Sequence, residues 1–432
     1  MEWHRAYSLK SYLRSTMWVV PVAAYVTSFF LIRIVGWIDD WLQWSWSWKV
    51  DVATVVTTLG SVVSATVAFI VFAFSSLLVA IQIASAQLTP RIIATTLLRD
   101  NTIRGVVALF VLTLAFGVGT LARAQDRVPY LLLTVAILLA GASTVAFIYL
   151  IDYAARLLRP VSIVWRLGQE GLAVIEDVYP AKVKGPYTPS RLTAPPPPAT
   201  RTILHKGTSA IILAVDLQTL LREAVRTDGV IEFAHQVGNF LSVDEPLFHL
   251  YGAAAAADDK RLRGAVALGA ERTLEQDATF SFRVIVDIAV KALSKAINDP
   301  TTAVLALDQL HRLLRAVGRR HLHDDVINDA NGKPRVIFRT PNWDDFVELS
   351  CREIRLYGAE NYQIARRMRA MLENLAATLP ENRRPALLEE LRLLDQTLED
   401  LNLLPDDLVL ARTPDLQGLG APMRQPRAHS AS

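Results

Sequence analysis

The chain has 432 residues, 52% of them hydrophobic, and a mean hydropathy of +0.27, which is too apolar for an ordinary soluble protein and leaves room for two or three domains. One cysteine, Cys351, excludes an internal disulfide framework and CxxC-type metal or redox sites, and a net charge of +3 spread along the chain excludes a nucleic-acid footprint. The basic residues make better sense as membrane-orienting charges.

Arg5, Lys10 and Arg14 precede an apolar run that predicts a first transmembrane helix over 16–38. It is retained rather than cleaved, because no small-residue cleavage site interrupts it. Trp37, Trp41, Trp44 and Trp48 follow at spacings that put four indoles on one helical face, as in an interfacial helix. A second span is predicted over 52–86. From Val52 to Pro90 there is no charged side chain, and one helix of that length would run roughly 55–60 Å against a ~30 Å hydrocarbon core. Such a helix must tilt, break or project. Thr54, Thr57, Ser61 and Ser64 recur at helical spacing, with Ser75 and Gln82 further along. Small hydroxyl residues in that pattern make either a close-packed helix interface or a pore lining. An inner loop with Pro90, Arg91, Arg99 and Asp100 leads to spans over 105–122 and 128–151, and Lys and Arg concentrate so that both termini lie inside. Asp152 and Arg156, four apart, form a local pair or mark an ion-handling acid.

Beyond residue 160 the pattern predicts an α+β cytosolic domain: a linker over 161–202 with four consecutive prolines from Pro195, a β-rich module over 203–256, a mainly helical region over 257–412 containing a helical bundle, and a disordered tail over 413–432. In the module, strand-like pieces surround a helix from Leu217 to Arg226. The segment His235–Leu247 resembles part of the small barrel-sandwich fold of biotinyl and lipoyl carriers, without the Met-Lys dipeptide that a swinging arm requires.

The stretch from Glu271 to Asp308 is the most particular. Arg283, Asp287, Lys291 and Lys295 recur every four residues as a charged ladder on an otherwise buried helix, and Asp299 before Pro300 should cap a second helix. Thr273 to Gln276 has the spacing of a capping box. Glu271, Arg272 and Asp277 then make a buried salt-bridge network at the joint or, with Asp287, Asn298 and Asp299, a pocket for a small ion or ligand. His321 and His323 lack a third ligand, so a solvated loop is expected there, with no metal and no cofactor. Asp329 to Gly332 predicts a hairpin turn, and Trp343 opens a further helix. Leu356–Leu379 and Pro385–Leu404 predict a helical hairpin, on which Arg366, Arg367 and Arg369 form a solvated or headgroup-facing surface.

Taken together, Thr89-Pro90-Arg91, Arg99-Asp100, Glu271-Arg272-Thr273 with Gln276-Asp277, Val286-Asp287-Ile288-Ala289, Ala292-Leu293-Ser294 and Asn298-Asp299-Pro300 with Thr302-Ala303 resemble a bacterial family of predicted membrane proteins known as domain of unknown function 2254. The chain departs from that pattern at Thr89, Lys295 and Asp152-Tyr153. The resemblance implies a multi-pass protein of the bacterial inner membrane and names no activity. With no nucleophile elbow, P-loop, HExxH or Rossmann fingerprint, the expectation is not an enzyme. It is a homo-oligomeric channel or transport-related protein gated by its cytosolic domain, or else a membrane-anchored scaffold or sensor that binds a partner or small ligand.

Overall fold

The computed structural model describes residues 16, 18–42, 51–87, 100–124, 128–157, 159–183, 198–274, 276–322 and 326–420. Among them, four helices are long and apolar enough to cross a bilayer: α1 (Val19–Leu42), α2 (Val52–Gln87), α3 (Asn101–Arg123) and α4 (Tyr130–Leu157). The protein is a multi-pass membrane protein with four candidate spans.

Helix α1 runs past residue 38, so Trp37 and Trp41 stand exposed on its last turns rather than on a separate interfacial helix; Trp44 and Trp48 lie outside the described residues. The extension brings Asp39 to the start of α4. Its buried carboxylate accepts the Leu131 N–H at 2.8 Å, in the first turn of that helix, where an unpaired N–H in hydrocarbon would cost several kcal/mol. Arg123 donates to the Ile32 carbonyl at 2.9 Å, and Gly36 leaves the space for it, since a Cβ there would fall 1.8 Å from the guanidinium. Thr113 and Ser143 bond across α3 and α4 at 2.8 Å. Helix α3 starts four residues before the predicted span because Asp100 caps it, accepting from the N–H groups of Thr102 and Ile103 at 2.9 and 3.1 Å. Helix α4 carries the Asp152–Arg156 ion pair on its last turns.

The chain from Val164 onward forms a second compact unit. It takes in most of α5 (Pro160–Val178), then β1 (Arg201–Leu204), β2 (Ala210–Val215), α6 (Leu217–Thr227), β3 (Val230–Phe233), β4 (Phe240–Leu241), β5 (Pro246–Tyr251), α7 (Asp259–Gly264) and β6 (Val266–Gly269). After these come α8 (Ala278–Ala292), α9 (Pro300–Gly318), β7 (Val326–Asn328), β8 (Pro334–Phe338), α10 (Trp343–Gly358), α11 (Tyr362–Thr378), α12 (Arg384–Asp400) and α13 (Pro405–Ala411). One sheet has the order β1-β5-β3-β8-β7, the other β4-β2-β6, and only the β3–β8 pair is parallel. Ile212, Leu241, Phe233, Phe248 and Phe338 share one core between the sheets, covered by Leu220 of α6 and Leu262 of α7.

The β region is therefore not confined to 203–256. Strand β6 falls where a helix is expected, and β7 and β8 reach back from beyond α9 to extend the larger sheet. Helix α8 is apolar on most of its circumference and ten of its fifteen residues are buried, which marks it as a central helix of the unit. The expected helix from Leu356 breaks after Gly358, because Asn361 caps α11 by accepting from the N–H groups of Gln363 and Ile364.

Arg366, Arg367 and Arg369 are buried, not solvated. Arg366 donates to the carbonyls of Thr413 and Gly420 at 2.9 and 2.7 Å, Arg367 meets Asp308 at 2.7 Å, and Arg369 pairs with Asp395. Helical spacing puts these residues on α11 correctly, but it does not show that α9, α12 and the segment after α13 supply acceptors around it.

Candidate functional site

Within the second unit a cleft of about 330 Å³ opens where the end of α5, the β2–α6 corner, the start of α8 and the residues after β8 meet. That volume falls in the range of small-molecule sites, roughly 300–1,000 Å³. Its walls include Val178, Leu217, Val237 and Phe338, and its polar groups come from Asp177, Tyr179, Asp216, Gln218, Gln276, Asp277, Thr279 and Arg339.

The predicted joint residues build one wall. Asp277 accepts the Phe280 N–H at 3.1 Å and a bond from the Thr279 hydroxyl, so it is the N-cap of α8. The capping box expected over Thr273–Gln276 is thereby corrected: the helix starts at Ala278, and Gln276 instead accepts the Val215 N–H at 3.2 Å, tying the helix start to the end of β2. The other oxygen of Asp277 takes Arg272 through Nε at 3.0 Å and Nη2 at 2.9 Å, while the guanidinium lies 5.6 Å from the Phe280 ring centroid. Gly238 presses its backbone against this pair at φ +89°. A Cβ there would lie 2.0 Å from Arg272 Nη2 and 2.4 Å from Asp277 Oδ2, so both the backbone and the space demand glycine.

Across the cleft, Asp216 caps α6 by accepting the Thr219 N–H at 3.2 Å. Burial pushes the phenol of Tyr179 up, and the carboxylates of Asp277 and Asp345 push it further, so the hydroxyl keeps its proton. With Asp277 paired to Arg272, the carboxylates of Asp177 and Asp216 stand against the guanidinium of Arg339, a small negative excess that favours a ligand that donates hydrogen bonds or carries positive charge. Among the described residues that line the cleft there is no histidine and no cysteine.

The other predicted residues lie elsewhere. Glu271 is exposed. Asp287 pairs with Arg283, whose guanidinium also holds Glu353 of α10, with Nη2 2.8 Å from Oε2. Asn298 is exposed in a left-handed turn at φ +48°, and Asp299 caps α9 by accepting the Thr302 N–H at 3.1 Å, as expected. Asp277 and Asp299 sit at opposite ends of α8, separated by about 22 Å at 1.5 Å per residue over its fifteen residues. The six residues do not form a single pocket.

On α2, Thr54, Thr57, Ser61, Ser64, Ser75 and Gln82 are all exposed in the single chain. Thr57 and Ser61 donate to the carbonyls of Ala53 and Thr57 at 2.8 and 3.0 Å. Pro90, Arg91 and Arg99 lie outside the described residues, as does His323. Asp100 is described, and besides capping α3 it accepts the Tyr153 hydroxyl. Among the described residues no group of three or more His, Cys, Asp or Glu side chains is placed to hold a metal. Cys351 is fully buried and its thiol is pushed up by burial, so it is a packing residue.

Sequence reasoning missed Tyr179, Asp216 and Gly238 as parts of one site. Asp216 before a helical run is a legible cap, and Gly238-Asn239 is a legible turn. Their convergence on Asp277 depends on long-range packing that no local pattern carries.

The family model described as "Predicted membrane protein (DUF2254)" matches residues 14–374. The chain is 28% identical over 337 residues to an uncharacterized protein of Mycobacterium bovis and, to the same extent, to uncharacterized proteins of two Mycobacterium tuberculosis strains. Each alignment covers 75% of this chain and 61% of the relative, so the chain spans less than two thirds of these relatives' length. No solved structure matches it.

Proposed function

The chain belongs to the membrane protein family of domain of unknown function 2254, and from that premise we propose that it is a membrane-anchored sensor whose second unit binds a small polar ligand. The cleft carries this reading. It collects Gln276, Asp277 and Thr279 from the most particular stretch of the sequence into a cavity of ligand size, faced by Asp216 and Tyr179. The four spans hold the chain in the bacterial inner membrane with both termini and the second unit in the cytoplasm, in line with its Lys and Arg distribution. No catalytic activity is proposed.

A thermal-shift screen of the purified full chain against amines, amino acids and nucleotides tests the reading. At least one compound should raise the unfolding midpoint, and Val237→Trp, which fills the cleft, should abolish that shift. A screen without hits, or hits that survive Val237→Trp, would sink it.

A second reading is an oligomeric channel or transport-related protein, supported by the outward face of α2. Thr54, Thr57, Ser61 and Ser64 present small hydroxyl side chains away from the other spans, and such faces bring helices into close contact. A pathway would then form between subunits rather than within one. Flux of a monovalent ion in reconstituted vesicles, lost in Ser61→Leu, would support it; a monomer without flux would end it.

A further inference from the structure

Helices α2, α3 and α4 enclose an apolar groove of about 130 Å³ inside the membrane-spanning unit, apart from the cleft. Phe72, Ala73 and Leu77 of α2, Val107 of α3, and Phe147 and Leu150 of α4 line it, and Ser76 is the one polar side chain among the described residues of its lining. Its wall is aromatic: Phe147 stacks on Phe69 with ring centroids 4.4 Å apart, and Phe72 meets Phe147 edge-on at 5.3 Å. Ala73 and Leu150 are buried at its base, whereas Phe72 and Ile151 are about half exposed at its rim.

Size, lining and depth decide what can occupy it. The volume is well below the roughly 300–1,000 Å³ of sites for drug-sized ligands, so the space suits a segment of an extended chain. A water there would find one hydroxyl where it needs two to four polar partners. Val107 lies two turns into α3, and Leu150 two turns from the end of α4, which places the groove about 10 Å inside the end of these spans at 1.5 Å per residue. That is acyl-chain depth just below the headgroups. Beyond it Asp152, Arg156 and Arg159 are exposed, where a zwitterionic or anionic headgroup finds both charges and a small positive excess.

We propose that this groove is a phospholipid site, occupied by the upper part of one acyl chain, so that a bilayer lipid is a fixed wedge between α2 and the α3–α4 pair. The occupant is a lipid rather than a second copy of the chain because the groove is narrow, opens at acyl depth and ends beside paired charges.

The full chain reconstituted in phosphatidylethanolamine–phosphatidylglycerol vesicles, with a trace of phospholipid bearing a photoreactive diazirine near the carboxyl end of one acyl chain, tests it. Labelling should concentrate on Phe72–Leu77 and Phe147–Ile151, and Ala73→Trp should remove it there while leaving it unchanged at Leu138, an exposed position on α4 outside the groove. Ile151→Trp, at the exposed rim where folding is not at stake, should do the same. Labelling spread evenly over the exposed spans, or unchanged by either variant, overturns the proposal. So does an intersubunit disulfide through Ser76→Cys with no lipid label, which would put another copy in the groove.

Discussion

Helix α8 begins at one capping aspartate and its hairpin partner α9 begins at another, and the two are built to different degrees. Asp299 does little beyond capping: it accepts from Thr302 and sets the start of α9 behind Pro300. Asp277 caps in the same way and is also buried, held by Arg272, pressed by Gly238 and turned toward the cleft. Between them, Arg283 links Asp287 to Glu353 on α10. Identical capping chemistry therefore says nothing about how far a residue is tied into the fold. What separates the two ends is the long-range company each aspartate keeps.

Substitutions along the hairpin should follow that gradient. Asp277→Ala removes the cap and leaves a half-buried guanidinium without its carboxylate, and should cost about 2–3 kcal/mol in denaturant unfolding of the purified protein. Gly238→Ala touches neither helix yet forces a side chain onto the Arg272–Asp277 pair at positive φ, and should cost about 2 kcal/mol. A loss near zero would mean the close approach is not maintained in solution. Asp299→Ala should cost about 1 kcal/mol, the value of a cap alone; a loss equal to that of Asp277→Ala would erase the distinction between the two ends.

The smallest effect is in the middle and depends on pH. The Arg283 hydrogen bond holds the Glu353 carboxyl below its ordinary value of 4.5. Its contribution is fully present above that value and is lost as pH falls through the lowered folded-state pKa. Denaturant midpoints measured downward from pH 5 should therefore fall less steeply in Glu353→Gln than in the parent. Glu390, opposite Arg355, behaves with the other sign: burial raises its pKa, so its share of stability improves as pH falls through that raised value.

Much of the architecture was legible because it rests on local rules. Apolar runs gave four spans, turn residues gave the β7–β8 hairpin around Gly332, and Asp299-Pro300 gave the start of α9. The failures share a cause. Thr273–Gln276 had the spacing of a capping box, but Asp277 with Arg272 beside it offers a stronger cap one residue before the helix. The arginines of α11 resembled a solvated surface because their acceptors lie 47 to 59 residues away in Thr413, Gly420 and Asp308. The cleft was half visible, through Gln276 and Asp277. Its other half comes from α5, β2 and the segment after β8, which only tertiary packing brings alongside.

The carbonyls around Arg366 have a practical consequence for dividing this protein. Similarity to the family model ends at residue 374, eight positions past Arg366, while the carbonyls of Thr413 and Gly420 that satisfy its guanidinium come some forty residues later. A chain trimmed to the matched length would keep the buried charge and discard its acceptors, a loss on the scale of several kcal/mol. The segment from Pro405 to Gly420 is thus a clasp that completes the unit, and any attempt to release that unit from its membrane helices has to carry the clasp along.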